Sequence, residues 1–447
     1  MEKNLTTGNI FKTMLSFSVP FMLSYFFQKL YGMADLLIIG QFYGVSYTTG
    51  VSIGSQIMNF FTAVIVGLAM GSTVMIGKYI GAENKEKASE AIGNTITFFM
   101  ALSIVLMILL ILLVRPIVAL VSTPEEAVSG TITYLLICFV GIPFITAYNI
   151  ISSIFRSLGD SKSPMYFIAI ACAANIALDY FFIGHLHLGT AGAALGTTLS
   201  QTISVLVSLG MIRKKQTGLA MRKQHFHPKA SIIRQLLKVG IPVACQDGFV
   251  QISFIIITII ANQRGLNDSA AVGIVEKIMC FFFLIPSAML STTSTMCAQN
   301  IGAGKHDRAK ATLRYAIAIC VVFGLISSII IQFTAYPLVS LFTEDKTVTL
   351  LGSQYLRGYI WDCLLGGIHF SFSGYFCAYG LSQFSFLHNF ISIITARVPM
   401  AYFMSAKFPD TLFPMGFAAT TGSLVSAVIC ILLYIWMKRK GKINEKK

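Results

Sequence analysis

The chain has 447 residues, of which 55% are hydrophobic and 11% charged, a balance no soluble domain can bury and a lipid-exposed helix bundle requires. Its formal net charge of +15 would suit a nucleic-acid partner, but the basic residues lie in short loops and the C-terminal tail, so none is expected. The composition points to an all-α integral membrane protein.

Apolar stretches of about 20 residues, each enough to cross ~30 Å of hydrocarbon, recur along the whole chain. Spans are predicted near Lys12–Gly40, Thr48–Ile76, Ile92–Val114, Gly130–Ile150, Pro164–Ile183, Gly192–Ile212, Val239–Ala261, Ala270–Met296, Ala311–Phe333, Leu350–Tyr375, Phe386–Met404 and Met415–Met437, about twelve helices in all. With the N-terminus inside, the inner segments carry twenty-five Lys and Arg, against Arg115, Arg264, Lys346 and Lys407 outside. This positive-inside bias predicts cytoplasmic termini. The first span is too long for a cleavable signal and should remain in the protein. The nine cysteines lie mostly within spans and form no CxxC pair, which suits small apolar packing residues.

The basic stretch Arg213–Lys238 divides an N-lobe (1–212) from a C-lobe (239–447), with 213–238 as a cytoplasmic linker. The halves resemble each other. Tyr79-Ile80-Gly81-Ala82-Glu83-Asn84-Lys85 returns as Asn300-Ile301-Gly302-Ala303-Gly304-Lys305, an offset of 221 (301 against 80). Ser18-Val19-Pro20 returns as Gly240-Ile241-Pro242, and Gly159 as Gly380. One spacing held at three separated sites indicates an internal duplication. Six helices per half is an even number, so the repeats run parallel, about an axis along the membrane normal, as in transporters that rock two bundles around a central site.

Two acids stand out within this apolar frame. Asp35 lies in the stretch Phe17–Ile39 and Asp179 in Met165–Ile183, and an intramembrane carboxylate is by default an ion-coupling hypothesis. Ser24, Gln28, Tyr31 and Asp35 recur at i, i+4, i+7 and i+11, and Asn175 and Asp179 are four apart, so each helix carries a polar stripe that must face the bundle interior or a watery cavity. Asp35 is predicted roughly 7 Å, and Asp179 about 6 Å, below the outer end of its helix. Two carboxylates sharing a low-dielectric site cannot both be charged cheaply, which suits a proton carrier; the alternative is that each acid only pins two helices together. Pro20, which removes a donor and clashes with the preceding turn, should kink the first helix.

The second half differs. Asp35 maps to about Ile257 and Asp179 to about Met400, both apolar, and the second half's own polar set is Gln246, Asp247, Gln251, Glu276, Lys277, Arg357, Asp362, His369 and Arg397. Their roles stay open between cavity lining and internal pairing. His185-x-His187 and His225-x-His227 lack a second ligand cluster and are expected to be ordinary loop histidines, with no metal bound. No phosphate loop, nucleophile elbow or HExxH is present, so no enzyme reading has a constellation behind it.

At Ser18-Val19-Pro20, at Gln28, Tyr31, Asp35 and Ile39-Gly40, in the loop Arg156-Ser157-Leu158-Gly159-Asp160-Ser161-Lys162-Ser163-Pro164, and at Asn175-x-x-Leu178-Asp179-x-x-Phe182-Ile183, the chain resembles bacterial multidrug and toxic compound extrusion (MATE) transporters. The resemblance implies a twelve-helix, V-shaped, two-lobed transporter of the bacterial inner membrane that exports organic cations in exchange for H⁺ or Na⁺, with no other cofactor. It implies an N-lobe ion site of Asp35, Asn149, Asn175, Asp179 and Thr197, a cavity lined by Gln28 and Tyr31, and a hinge at Pro20. Partners beyond the organic cations would be membrane lipids, and a monomer is the default expectation. The branch that uses an acidic pair in the seventh and tenth helices would need carboxylates near Gln251 and Gly366, where this chain has none; Asp362 is one turn away. Lys29, beside Gln28, stands where a neutral residue is expected and would disfavour some cationic substrates. A lipid-linked precursor flippase, kept open by Lys29, Lys277 and Arg397, and a non-transporting receptor or membrane enzyme are the competing readings.

Overall fold

In a computed structural model of the protein, residues 4–214, 221–441 and 443 are described; linker residues 215–220 and tail residues 442 and 444–447 lie outside them. Among the described residues there is no β-strand. The first half comprises α1 (Ile10–Phe42), α2 (Val45–Gly81), α3 (Lys85–Leu112), the short α4 (Val114–Leu120), α5 (Glu125–Val140), α6 (Ile142–Ser157), α7 (Lys162–Asp179), which runs into a π-helical turn at Tyr180–His185, and α8 (Gly189–Lys214). The second comprises α9 (Ala230–Arg264), α10 (Leu266–Phe282), α11 (Leu284–Gly302), α12 (His306–Ser340), α13 (Lys346–Tyr359), α14 (Asp362–Ala378), α15 (Ser382–Ser392), a second π-helical turn at Ile393–Arg397, α16 (Val398–Lys407) and α17 (Phe413–Arg439).

These helices make twelve spanning segments, six per half. Eight are single helices long and apolar enough to cross a membrane, and two more are bent pairs: α5 with α6 at 50° and α10 with α11 at 41°. Each bend precedes a proline in the next helix's first turn, Pro143 and Pro286, where the missing amide costs no hydrogen bond. The remaining two segments, α13 with α14 and α15 with α16, are broken into pieces of 10 to 17 residues. They carry Arg357, Asp362, His369, His388 and Arg397.

By contacts the chain forms two units, one of Met1–Asn4 with Leu23–Leu237 and one of Leu5–Met22 with Lys238–Lys447. Helices α1 and α9, which carry Pro20 and Pro242 inside them, therefore each begin in one unit and end in the other. The described end of the basic linker belongs to the first unit, where Asn94 of α3 donates to the His225 carbonyl (3.2 Å) and accepts from the Lys229 amide (2.6 Å). Gly93 permits this approach, because a Cβ there would overlap the His225 carbonyl. His225 is thus no ordinary loop histidine: it is buried, with Nε2 3.0 Å from Glu86 and Nδ1 accepting from the Arg222 amide.

The loop Arg156–Pro164 has a structural explanation. Gly159 turns the chain at φ +86°, a conformation only glycine adopts freely. Asp160 then caps α7, accepting from the amides of Lys162 and Ser163 (3.1 and 3.0 Å) and from the Ser163 hydroxyl (2.6 Å). Gly380 repeats the turn at φ +76°. Of the cysteines, Cys245 and Cys280 are exposed rather than packed inside; the other seven are buried. In the second unit small residues let backbones meet, as at Gly358 against Gly416 and Gly374 against the Leu290 carbonyl, the usual packing mode where lipid removes the hydrophobic drive.

Candidate functional site

The first unit brings four of the expected residues together from three helices. Asp35 on α1 is 3% exposed, and Asn175 and Asp179 on α7 are 0% exposed. Thr197 of α8 donates its hydroxyl to Asp35 Oδ2 at 3.0 Å. Asp179 and Asn175 lie beside Asp35, yet Asp35 Oδ1, both Asp179 oxygens and both Asn175 amide atoms are buried without a hydrogen-bond partner. Each such group costs about 1–3 kcal/mol when buried unpaired. The cluster is rich in acceptors and has one well-formed donor bond, so its chemistry calls for a proton or a small cation.

Local structure explains how two acids reach one place. α7 ends at Asp179 and the chain continues as a π-helix from Tyr180, an insertion type found often at functional sites. On α8, Gly196 leaves the space Asp179 fills: a Cβ there would overlap Asp179 Oδ1. Tyr134 of α5 presses its ring into the notch at Gly54 of α2 and neighbours Asp35, Cys138 and Thr197. Gly196, Gly54 and Tyr134 were missed by sequence reasoning. The Gly192-x-x-x-Gly196 spacing, a small-residue pattern that marks close helix packing, could have pointed to the first.

The other expected residues are less central. Tyr31 is half-buried and lies near Asp35 and Tyr148, and Gln28 reaches Tyr148. Asn149 is buried on α6 but returns its amide to the Ile145 carbonyl (2.8 Å). Lys29 is exposed, on a different face from Asp35. Pro20 lies inside the unbroken α1, in the part that packs with the second unit. No group of three or more His, Cys, Asp or Glu residues with metal-site geometry occurs among the described residues.

A family model described as MatE matches residues 20–181 and again 242–403. The chain belongs to the MatE family. The two matches make the duplication explicit and set its step at 222 residues, since the second begins at 242 and the first at 20. This step pairs Asp35 with Ile257, Asp179 with Ala401 rather than Met400, and Asn175 with Arg397. Ile257 and Ala401 both belong to the apolar core of the second unit.

The MatE chain is 26% identical over 441 residues to the "Probable multidrug resistance protein YoeA" of Bacillus subtilis (strain 168), covering 97% of this chain and 95% of that one. It is 24% identical to the "Multidrug export protein MepA" of Staphylococcus haemolyticus (strain JCSC1435), covering 96% and 93%. Among solved structures it resembles a MATE protein in complex with MaL6 (TM-score 0.90, 21% identity, 99% of both chains). It also resembles a MOP superfamily transporter from Pyrococcus furiosus Vc1, described by a binding pocket of reverse polarity (TM-score 0.90, 21% identity, 99% and 98%). The structural likenesses speak to the fold. This MatE protein is a multi-pass membrane transporter of a multidrug efflux family.

Proposed function

We propose that the chain is an ion-coupled exporter in a bacterial plasma membrane, with both termini in the cytoplasm, acting on amphipathic and mainly cationic small molecules. The observation that carries this reading is the buried cluster of Asp35, Asp179, Asn175 and Thr197, in which two carboxylates share a single well-formed donor bond. Asp35 and Asp179 would take up H⁺ or Na⁺ from outside as the substrate leaves. Releasing the ion inward would reset the site. Gln28 and Tyr31 would line the first-unit cavity, and α1 would flex at Pro20. The names of the multidrug relatives from Bacillus and Staphylococcus support the substrate class.

The test is uptake of a fluorescent organic cation into inverted vesicles, with proton and sodium gradients imposed one at a time. One gradient should drive uptake in the wild type, and Asp35→Asn and Asp179→Asn should each abolish it. Undiminished uptake in both variants would remove the coupling assignment.

A further inference from the structure

The four residues Leu5, Thr6, Thr7 and Gly8 lead into α1, and the carbonyl of each accepts a hydrogen bond from a side chain of the second unit. Asn300, near the end of α11, donates through Nδ2 to Leu5 (3.2 Å), and Lys305, just ahead of α12, donates through Nζ to Thr6 (3.0 Å). The Arg308 guanidinium of α12 takes the other two, Thr7 through Nη2 (3.1 Å) and Gly8 through Nη1 (2.9 Å). Arg308 Nε also donates to Asn300 Oδ1 at 3.2 Å, so the gripping side chains brace one another. Leu5 is 0% exposed, and Phe11 of α1 lies against Tyr315 of α12, their ring centroids 5.7 Å apart. Chain ends are poorly ordered unless something ties them down, and here the tie is complete.

The first unit does the same with other groups. Its turn after α2 repeats the turn after α11: the Asn84 amide donates to the Tyr79 carbonyl (3.0 Å) as the Lys305 amide does to Asn300 (2.8 Å). From there α3 holds the stretch ahead of α9 through Asn94 and through Thr97, whose hydroxyl donates to the Phe226 carbonyl at 2.8 Å. Each helix that changes units is thus held just ahead of its start. The tie on α1 is built to open. Its bonds from Lys305 and Arg308 are exposed, so water can replace either partner. Gly8 turns the segment at φ +75°, and α1 is closed beyond it by Asn9, which accepts from the Lys12 and Thr13 amides (both 3.0 Å). A swing at Gly8 frees the segment and leaves α1 intact.

We propose that residues 5–8 form a releasable clip, gripped by Asn300, Lys305 and Arg308, that fixes the start of α1 during one part of the transport cycle and opens in another. This rests on the exporter reading. Residues 5–22 belong to the second unit, and α1 from Leu23 onward, with Asp35, to the first. The clip is therefore the fixed end of a lever whose far part carries an acid of the ion site. Arg308 is a positioning residue: it acts on Asp35 through α1 and touches neither ion nor substrate.

The first arm of the test reads hydrogen exchange by mass spectrometry over residues 4–14 of the full-length protein in proteoliposomes. Arg308→Ala, which removes two of the four carbonyl bonds, should speed exchange about tenfold or more. Gly8→Ala should do the same, because it strains the turn and leaves every gripping side chain in place. Arg314→Ala, an exposed change on the same helix, should match wild type. In the wild type these amides should exchange faster during driven efflux than at rest. The second arm is efflux of a fluorescent organic cation: Arg308→Ala should lower the maximal rate about twofold or more with the apparent KM unchanged, and Arg308→Lys should recover part of it. Wild-type exchange in both Arg308→Ala and Gly8→Ala overturns the clip. Faster exchange with unchanged efflux, or equal exchange at rest and during efflux, reduces it to a static tie and overturns its part in transport. If no gradient drives efflux in the wild type, the exporter reading falls, and exchange in the two variants still decides whether the clip exists.

Discussion

Gly196 on α8 is what lets Asp179 lie buried beside Asp35, because a Cβ at position 196 would overlap Asp179 Oδ1. The obstructed atom is the end of a side chain and not backbone, so a methyl group there should turn the carboxylate away without unfolding the helix. Gly196→Ala is expected to leave the melting temperature in detergent near wild type, since alanine adds about 1 kcal/mol of helix propensity, and to lower transport about tenfold or more. Gly210→Ala on the same helix, where nothing lies within 4 Å, is the control: its transport should equal wild type. Wild-type transport in Gly196→Ala would show that the position of Asp179 is immaterial.

The Thr197 hydroxyl is the one well-formed donor to Asp35, at 3.0 Å. A hydrogen bond to a charged group contributes about 1.5–3 kcal/mol, so Thr197→Val should change the apparent affinity for the coupling ion by about tenfold or more. Thr197→Ser should retain wild-type behaviour. Transport measured against the concentration of the driving ion reads the shift.

At the linker, Asn94→Ala removes both the bond to the His225 carbonyl and the one from the Lys229 amide. Gly93→Ala drives a methyl group into the same carbonyl. Overpacking of this kind costs about 1–3 kcal/mol, and the segment 222–229 should detach locally before the unit unfolds. Limited trypsin digestion should cut faster after Arg222, Lys223 and Lys229 in both variants. Unchanged cleavage would mean that α3 does not hold the linker.

Arg264, placed by the sequence among a few basic residues in outer segments, forms a clamp at the end of α9 with its side chain 7% exposed. It pairs with Asp268 at 2.8 Å and donates to the carbonyls of Ser405, Phe408, Pro409 and Thr411. Lysine has neither the planar fork nor the number of donors, so Arg264→Lys should destabilise the second unit by about 2–3 kcal/mol. Because the ion pair is buried, raising the salt concentration should not restore the loss. Thermal unfolding at low and high salt checks both statements.

Much of the first-unit site was legible because it is written in helical periodicity. Asp35 shares a face with Ser24, Gln28 and Tyr31, and Asp179 with Asn175, and these relations hold for any α-helix of this sequence. Thr197 and Asn149 came only from the family resemblance. Of those two, Thr197 reaches Asp35 across 162 positions, whereas Asn149 turns back on its own helix. In the second half, the stripe of Asp362, His369 and Ser373 was equally open to periodicity, but Ser423, which bonds His369 from α17, lies 54 positions beyond it.

The amino-acid order alone determined the membrane class, the twelve spans, the duplication and the helix faces that avoid lipid, because hydrophobic length, repeat spacing and a 3.6-residue period are properties of contiguous chain. The tertiary structure alone decided which faces meet. Thr197 meets Asp35, Gly196 yields to Asp179, and Ser423 meets His369, because each contact depends on how helices dock. In a membrane bundle that docking is set by small residues and close van der Waals fit, which no local pattern of polarity records.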